Sequence, residues 1–175
     1  MSQFEAQKGV NVLYKKNETN DIFTLIYVFN TGTENDPALN LAFDYLSYLG
    51  TDKMSAEQIA SEMYAIACSF GLSAGTNQSW IEISGLSENM GKAMEIVEGL
   101  IAGAQPNEEI LQNLKGDMIK SRADAKLNQS RCFGALQRYM IYGSDFIRRT
   151  TLTDPALQGL TSEQLLAKIG DLMGK

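Results

Sequence analysis

Acid/base chemistry needs two carboxylates held in different environments, and the chain offers two sets at first sight: Asp44 with Glu62, and the adjacent Glu108 and Glu109. Neither spacing marks a couple. Glu108 and Glu109 follow Pro106-Asn107 at what reads as a helix start, where the helix dipole favours negative charge, and solvation on a surface accounts for the other set. Imidazole chemistry is excluded directly, because the 175 residues include no histidine. A Ser-His or Cys-His nucleophile pair, a His-containing zinc site and an ordinary His general base therefore cannot be assembled. The two cysteines, Cys68 and Cys132, are far apart in sequence, and Cys68 sits in the apolar run "MYAIACSF", the ordinary place of a buried thiol. No Walker sequence and no G-x-G-x-x-G after a strand is present; "GLSAGT" lacks the spacing that cradles a phosphate.

Other side chains invite binding rather than catalysis. The stretch "KGDMIKSRADAKLNQSR" gathers Lys115, Lys120, Arg122, Lys126 and Arg131 but interleaves Asp117 and Asp124, which reads as a mixed solvated face rather than a polyanion site. Tyr45, Tyr48, Tyr139 and Tyr142 fall at spacings that suit half-buried edges of helices better than a stacking platform. A net charge of -6 and a pI near 4.7 argue against nucleic acid or an anionic membrane surface as the main partner. No apolar run approaches the roughly 20 residues that cross a bilayer, and "MSQFEAQKGV" has neither the h-region nor the cleavage site of a signal peptide. The chain reads as soluble, with its compartment open.

The elements that must position these groups follow from patterning. "VNVLYKK" and "FTLIYVF", separated by the polar "NETND", predict a strand pair, and Pro37 suits the first turn of a helix over about 38–49. Ser55 and Gln58 stand in capping-box spacing at the head of "SAEQIASEMYAIACSFG", predicted as a helix that ends at Gly71. "LSAGTNQ" and "WIEISGL" predict a hairpin; Ser87 is placed to cap the amphipathic "ENMGKAMEIVEGLIAGA". Pro106 introduces a further helix through Leu127, "RCFGALQRYMIYG" predicts another ending near Gly143, and Thr161 with Gln164 repeats the capping box ahead of a last helix. "TDPALQG" reads as a short linker. The order gives one α+β domain over 1–175, an antiparallel sheet with helices mainly on one face.

A helix ending in "LGT", a second after "SAEQIA", a strand pair and then "LSENMGKAMEIVEGLI", continuing through "EEILQNLKGDMIKSRADAK" to "LTSEQLLAKIGDL", resembles the first structural unit of the insulinase/pitrilysin family of zinc peptidases. The resemblance covers nearly the whole chain and implies the mitochondrial-processing-peptidase-like metallohydrolase fold. In active members the helix before Gly-Thr carries H-x-x-E-H, two zinc ligands and a catalytic glutamate. Those positions here hold Leu41, Asp44 and Tyr45, so neither ligand is present. The third ligand, a glutamate on a later helix, falls by approximate alignment near Lys120-Ser121-Arg122, where cations repel zinc.

The resemblance therefore implies a domain of the metal-free, non-catalytic half of a two-half peptidase, and a fragment of a longer protein. It assigns no catalytic, metal or cofactor residue to this chain, which by itself is expected to be inactive. Zinc is expected in the catalytic half, fused or separate, and peptide substrates in the chamber the halves enclose. The alternative is a structural relative without proteolysis, like the inactive core subunits of respiratory complexes. An unprotected sheet edge or apolar patch is expected to drive weak self-association.

Overall fold

The computed structural model describes residues 1–7 and 9–174. Strands β1 (Ser2–Gln7) and β2 (Val10–Tyr14) form an antiparallel two-stranded sheet. A second antiparallel sheet joins β3 (Ile22–Phe29), β4 (Cys68–Ala74) and β5 (Ser79–Leu86) in the order β3-β5-β4. The helices are α1 (Leu39–Ser47), α2 (Ala56–Ala65), α3 (Met90–Gly103), α4 (Glu108–Leu127), α5 (Gln129–Thr150), α6 (Asp154–Gly159) and α7 (Ser162–Met173).

Alternation along the strands gives the three-stranded sheet one covered face. Phe23, Leu25, Tyr27 and Phe29 of β3, with Ile81 and Ile83 of β5, pack against the helical core, whereas Ile22, Ile26 and Val28 are exposed on the other face. The helices lie on the first face: α1 and α2 against β4, α3 against β4 and β5, and α7 across α1. The centre of the core is α1, which buries Leu39, Leu41, Ala42, Phe43, Tyr45 and Leu46, joined there by Leu100, Leu111, Leu165 and Ile169. The expected α+β architecture is thus the observed one.

Four local expectations are corrected. First, β2 pairs with β1, and β3 pairs with β5 over its full length from Ile22↔Leu86 to Phe29↔Ser79. "NETND" therefore links the two sheets rather than closing a hairpin, and its asparagines hydrogen-bond to nearby backbone. Asn17 Oδ1 accepts from Thr19 N–H at 3.0 Å, and Asn20 Oδ1 from Ile22 N–H at 3.1 Å. Second, α2 stops at Ala65 and Cys68–Gly71 is strand; Ala67, at φ 51°, reverses the chain between them. Third, Ser87 opens a 3₁₀ turn (Ser87–Asn89) ahead of α3 and makes no side-chain cap. Fourth, the linker-like "TDPALQG" contains α6, capped by the Thr153 side chain on Ala156 N–H and started by Pro155. The break foreseen at Gly143 is present inside α5, where that residue takes φ 76° and ψ 175°.

Candidate functional site

The residues at the degenerate motif positions sit on α1, and local chemistry fixes both of its ends. At the start, Asp36 Oδ1 accepts the Ala38 N–H at 2.9 Å, while its Oδ2 takes an ion pair from Lys168 of α7 at 2.5 Å. At the end, Thr51 Oγ1 accepts from the N–H groups of Lys53 and Met54, and Gly50 lies so close to the following loop that a Cβ there would come within 2.5 Å of the Met54 carbonyl oxygen. The "LGT" signature is therefore a packing requirement of the α1–α2 connection.

Between those ends, Leu41 and Tyr45, one turn apart on a single face, are both buried in the core. The Tyr45 hydroxyl accepts from the Asn107 N–H at 2.7 Å and donates to the Asn107 carbonyl at 3.1 Å, so it is committed to the residue that caps α4. Asp44 is exposed, and partial burial of its carboxyl pushes its pKa above the usual aspartate value. Lys120 and Ser121 of α4 are also exposed. Arg122 reaches the start of α6, pairing with the Asp154 carboxylate, and donates to the Leu152 carbonyl just before it at 2.7 Å. These residues do not fit zinc: a leucine has no donor atom, the phenol is already used, and the α4 positions carry two cations. Among the described residues, no group of three or more His, Cys, Asp or Glu is arranged to hold a metal ion.

The acid pairs resolve separately. Glu62 accepts from Lys92 at 3.2 Å, and Asp44 has no part in that contact. Glu108 accepts the Ser162 N–H at 2.9 Å, placing its carboxylate at the start of α7. That hydrogen bond, helped by the charge of Lys115, holds the Glu108 pKa below the usual glutamate value. Lys115 itself is buried and donates to the carbonyls of Gln158 and Leu160 at 3.1 and 2.6 Å, closing the end of α6. Of the four tyrosines, Tyr45 is core, while Tyr48, Tyr139 and Tyr142 are more than half exposed, a correction to their reading as half-buried edges.

Sequence reading found the second half of β4 in "LSAGTNQ" but assigned its first half, Cys68–Gly71, to a helix although "CSFGLSA" alternates bulky and small residues. Among the described residues, β4 is an edge strand of its sheet, paired with β5 alone. Its outward direction is given by Ala74, whose N–H leaves the sheet to reach Asn40 Oδ1 at 3.3 Å; two-residue periodicity points the N–H groups of Phe70 and Leu72 the same way. Cavities flank this edge on both faces. On the helix side, about 280 Å³ is lined by Phe43, Asp44, Ser47, Ile59, Phe70 and Leu72. On the other face, about 330 Å³ is lined by Ser69, Ser73, Trp80, Glu82 and Ser84. Asp44 is thus beside the open edge although Leu41 and Tyr45 are not.

No protein-family profile and no curated protein matches the chain. Solved structures do. Over 95% of its length it is similar, at 18% identity and a TM-score of 0.80, to an inactive domain of an M16 peptidase from Pseudomonas fluorescens, covering 42% of that chain. It is similar over 97% of its length to the periplasmic protease PqqL of Escherichia coli, at 18% identity and a TM-score of 0.77, covering 19% of that protein. A third neighbour, an M16-like peptidase from Alicyclobacillus acidocaldarius, matches over 96% of this chain and 42% of its own at 15% identity and a TM-score of 0.74. The chain spans about a fifth to two-fifths of these proteins. Its fold is that of the M16, insulinase-like peptidases, and its structural neighbours include an inactive domain of that family.

Proposed function

We propose that residues 1–175 form one non-catalytic domain of a longer, two-half zinc metalloendopeptidase and help to enclose peptide substrates. Zinc and the cleaving groups belong to a catalytic half, in the same chain or in a partner. The observation that carries this reading is the contrast on α1 and beside it: Leu41 and Tyr45 are sealed into the core where ligands would stand, while the neighbouring edge of β4 stays open. An extended peptide added to that edge would hydrogen-bond to Phe70 and Leu72 and send alternate side chains into the two flanking cavities. The share of the neighbours that this fold occupies supports a larger assembly.

The test is titration of the isotope-labelled chain with an unfolded peptide, followed by amide NMR. Selective shifts at 69–74 that vanish in Leu72→Pro, which lacks the outward N–H, are the expected result. An unperturbed β4 would favour the purely structural reading, a scaffold relative without a peptide role. Metal-dependent cleavage by the purified chain would overturn both.

A further inference from the structure

The two faces of the β4 edge differ in chemistry, and the difference decides which side chains a bound peptide can carry. Toward the helices, Phe70 and Leu72 open onto a cavity that Phe43, Ile59 and Leu100 help to wall, apolar apart from the exposed Asp44 and Ser47. Toward the other face β4 presents only Ser69, Gly71 and Ser73. Register sets Gly71 opposite Glu82 of β5, and Glu82 opposite Ile26 of β3. The Glu82 side chain therefore has an isoleucine on one side and a bare backbone position on the other. A Cβ at Gly71 would meet no atom within 4 Å, so the way from the open edge across β4 to Glu82 is clear. Trp80, two residues before Glu82 on the same face and 37% exposed, walls one end of this path. Its ring leans over the β4 chain, where a Cβ on Gly75 would lie 3.2 Å from Cζ3.

Charge agrees with shape. Each of the two cavities beside the edge is lined by one carboxylate, Asp44 or Glu82, and neither by a lysine or arginine. Among the described residues Glu82 enters no ion pair, and its neighbours on that face of all three strands are uncharged. Resting on the reading that β4 accepts an extended peptide, we propose that Gly71 is a specificity slot for a basic side chain. The peptide residue beside Gly71 is lysine or arginine, and its two neighbours, beside Phe70 and Leu72, are apolar. Whichever way the peptide runs, its side chains alternate between the faces, so one apolar-basic-apolar segment satisfies both. Strands lie about 4.8 Å apart, which puts the central residue about 10 Å from Glu82 with β4 between them. A lysine or arginine stem lies over Gly71 and carries its charge to Glu82 beside the Trp80 ring. A short side chain stops above β4, and an acidic one meets like charge.

Trp80 is the only tryptophan of the chain, so its fluorescence reports on the slot while the amides of 69–74 report on the edge. The full chain is titrated with three unfolded peptides that differ only in a central lysine, norleucine or glutamate between apolar residues. The lysine peptide should bind about fivefold tighter than the norleucine one, the gain of an exposed ion pair joined to a cation–π contact, and the glutamate peptide more weakly than either. Added salt should narrow the gap. Glu82→Gln should erase the lysine advantage. Gly71→Val should erase it too, with norleucine binding unchanged: the position is ordinary strand backbone, and the N–H groups of Phe70 and Leu72 stay in place. Equal affinity for lysine and norleucine, with β4 amides shifting for both, would overturn the slot and leave the edge reading standing. A lysine preference that survives both substitutions would also overturn it, since the net charge of -6 would then be its source. No shift at 69–74 with any peptide would remove edge and slot together.

Discussion

At residue scale, a phenol at position 45 supplies the buried hydrogen-bond partner that the start of α4 requires. Tyr45→Phe removes the hydroxyl to which the Asn107 N–H donates at a part-buried position, and the loss of one such hydrogen bond costs about 1 kcal/mol, readable by urea denaturation. Rebuilding the motif as Leu41→His, Asp44→Glu and Tyr45→His should not create a zinc site: the imidazoles would enter an apolar core, and α4 would still present Lys120 and Arg122. Calorimetry should find no zinc bound at micromolar affinity and a chain less stable than the wild type.

Two carboxylates set opposite pH responses. Because the folded state lowers the Glu108 pKa, its stabilisation is present above the unfolded value and disappears as pH falls through the folded one. Glu108→Gln should therefore unfold at lower temperature than wild type near pH 7, with the gap closing toward pH 3. Asp44 behaves in reverse: its raised pKa means a stability loss as pH rises through the folded value, so Asp44→Asn should gain relative stability on going from acid to neutral pH.

At the scale of elements, helix ends decide where the chain turns. The Ser55 hydroxyl accepts from the Gln58 N–H at 3.2 Å, and the Gln58 side chain accepts from the Ser55 N–H at 2.8 Å; Thr161 and Gln164 repeat the pattern at α7. Ser55→Ala should cost about 1 kcal/mol in the unfolding free energy. Gly50→Ala should cost more than that loss of a cap, since the new methyl meets backbone atoms of Met54 and Ser55 at 2.5 and 2.9 Å, and backbone cannot rotate aside. Comparative thermal melts of the two variants would reverse this order only if the loop after α1 moved.

For the whole molecule, the decisive contact is between ends of the sequence that propensity does not connect. α7 lays Leu165, Ile169 and Leu172 into the core around α1, and Lys168 clamps Asp36 beside the α1 start. Leu165→Ala should cost about 2–5 kcal/mol and broaden the loss of structure to α1 in hydrogen exchange, because the cavity opens at their junction. The same closure leaves the β4 edge and the apolar side chains of Phe133, Leu136 and Met140 on α5 still facing outward.

Type and spacing alone determined that no histidine chemistry exists here, that helices start after Ser55 and Thr161, that the backbone breaks near Gly143 and that the fold is α+β. These are local matters: caps, turn residues and 3.6-residue periodicity act between near neighbours. The resemblance also placed Leu41, Asp44 and Tyr45 on one helix. Only the tertiary structure decided that β3 seeks β5 rather than β2, that Cys68–Gly71 leaves the helix for the sheet, and that Tyr45 serves Asn107. Strand partners are chosen by the burial of whole faces, which sums over contacts distant in sequence and overrides local propensity. An exposed stripe such as that of α5 has the same periodicity as a buried one, so its outward position becomes visible only once the rest of the chain has packed.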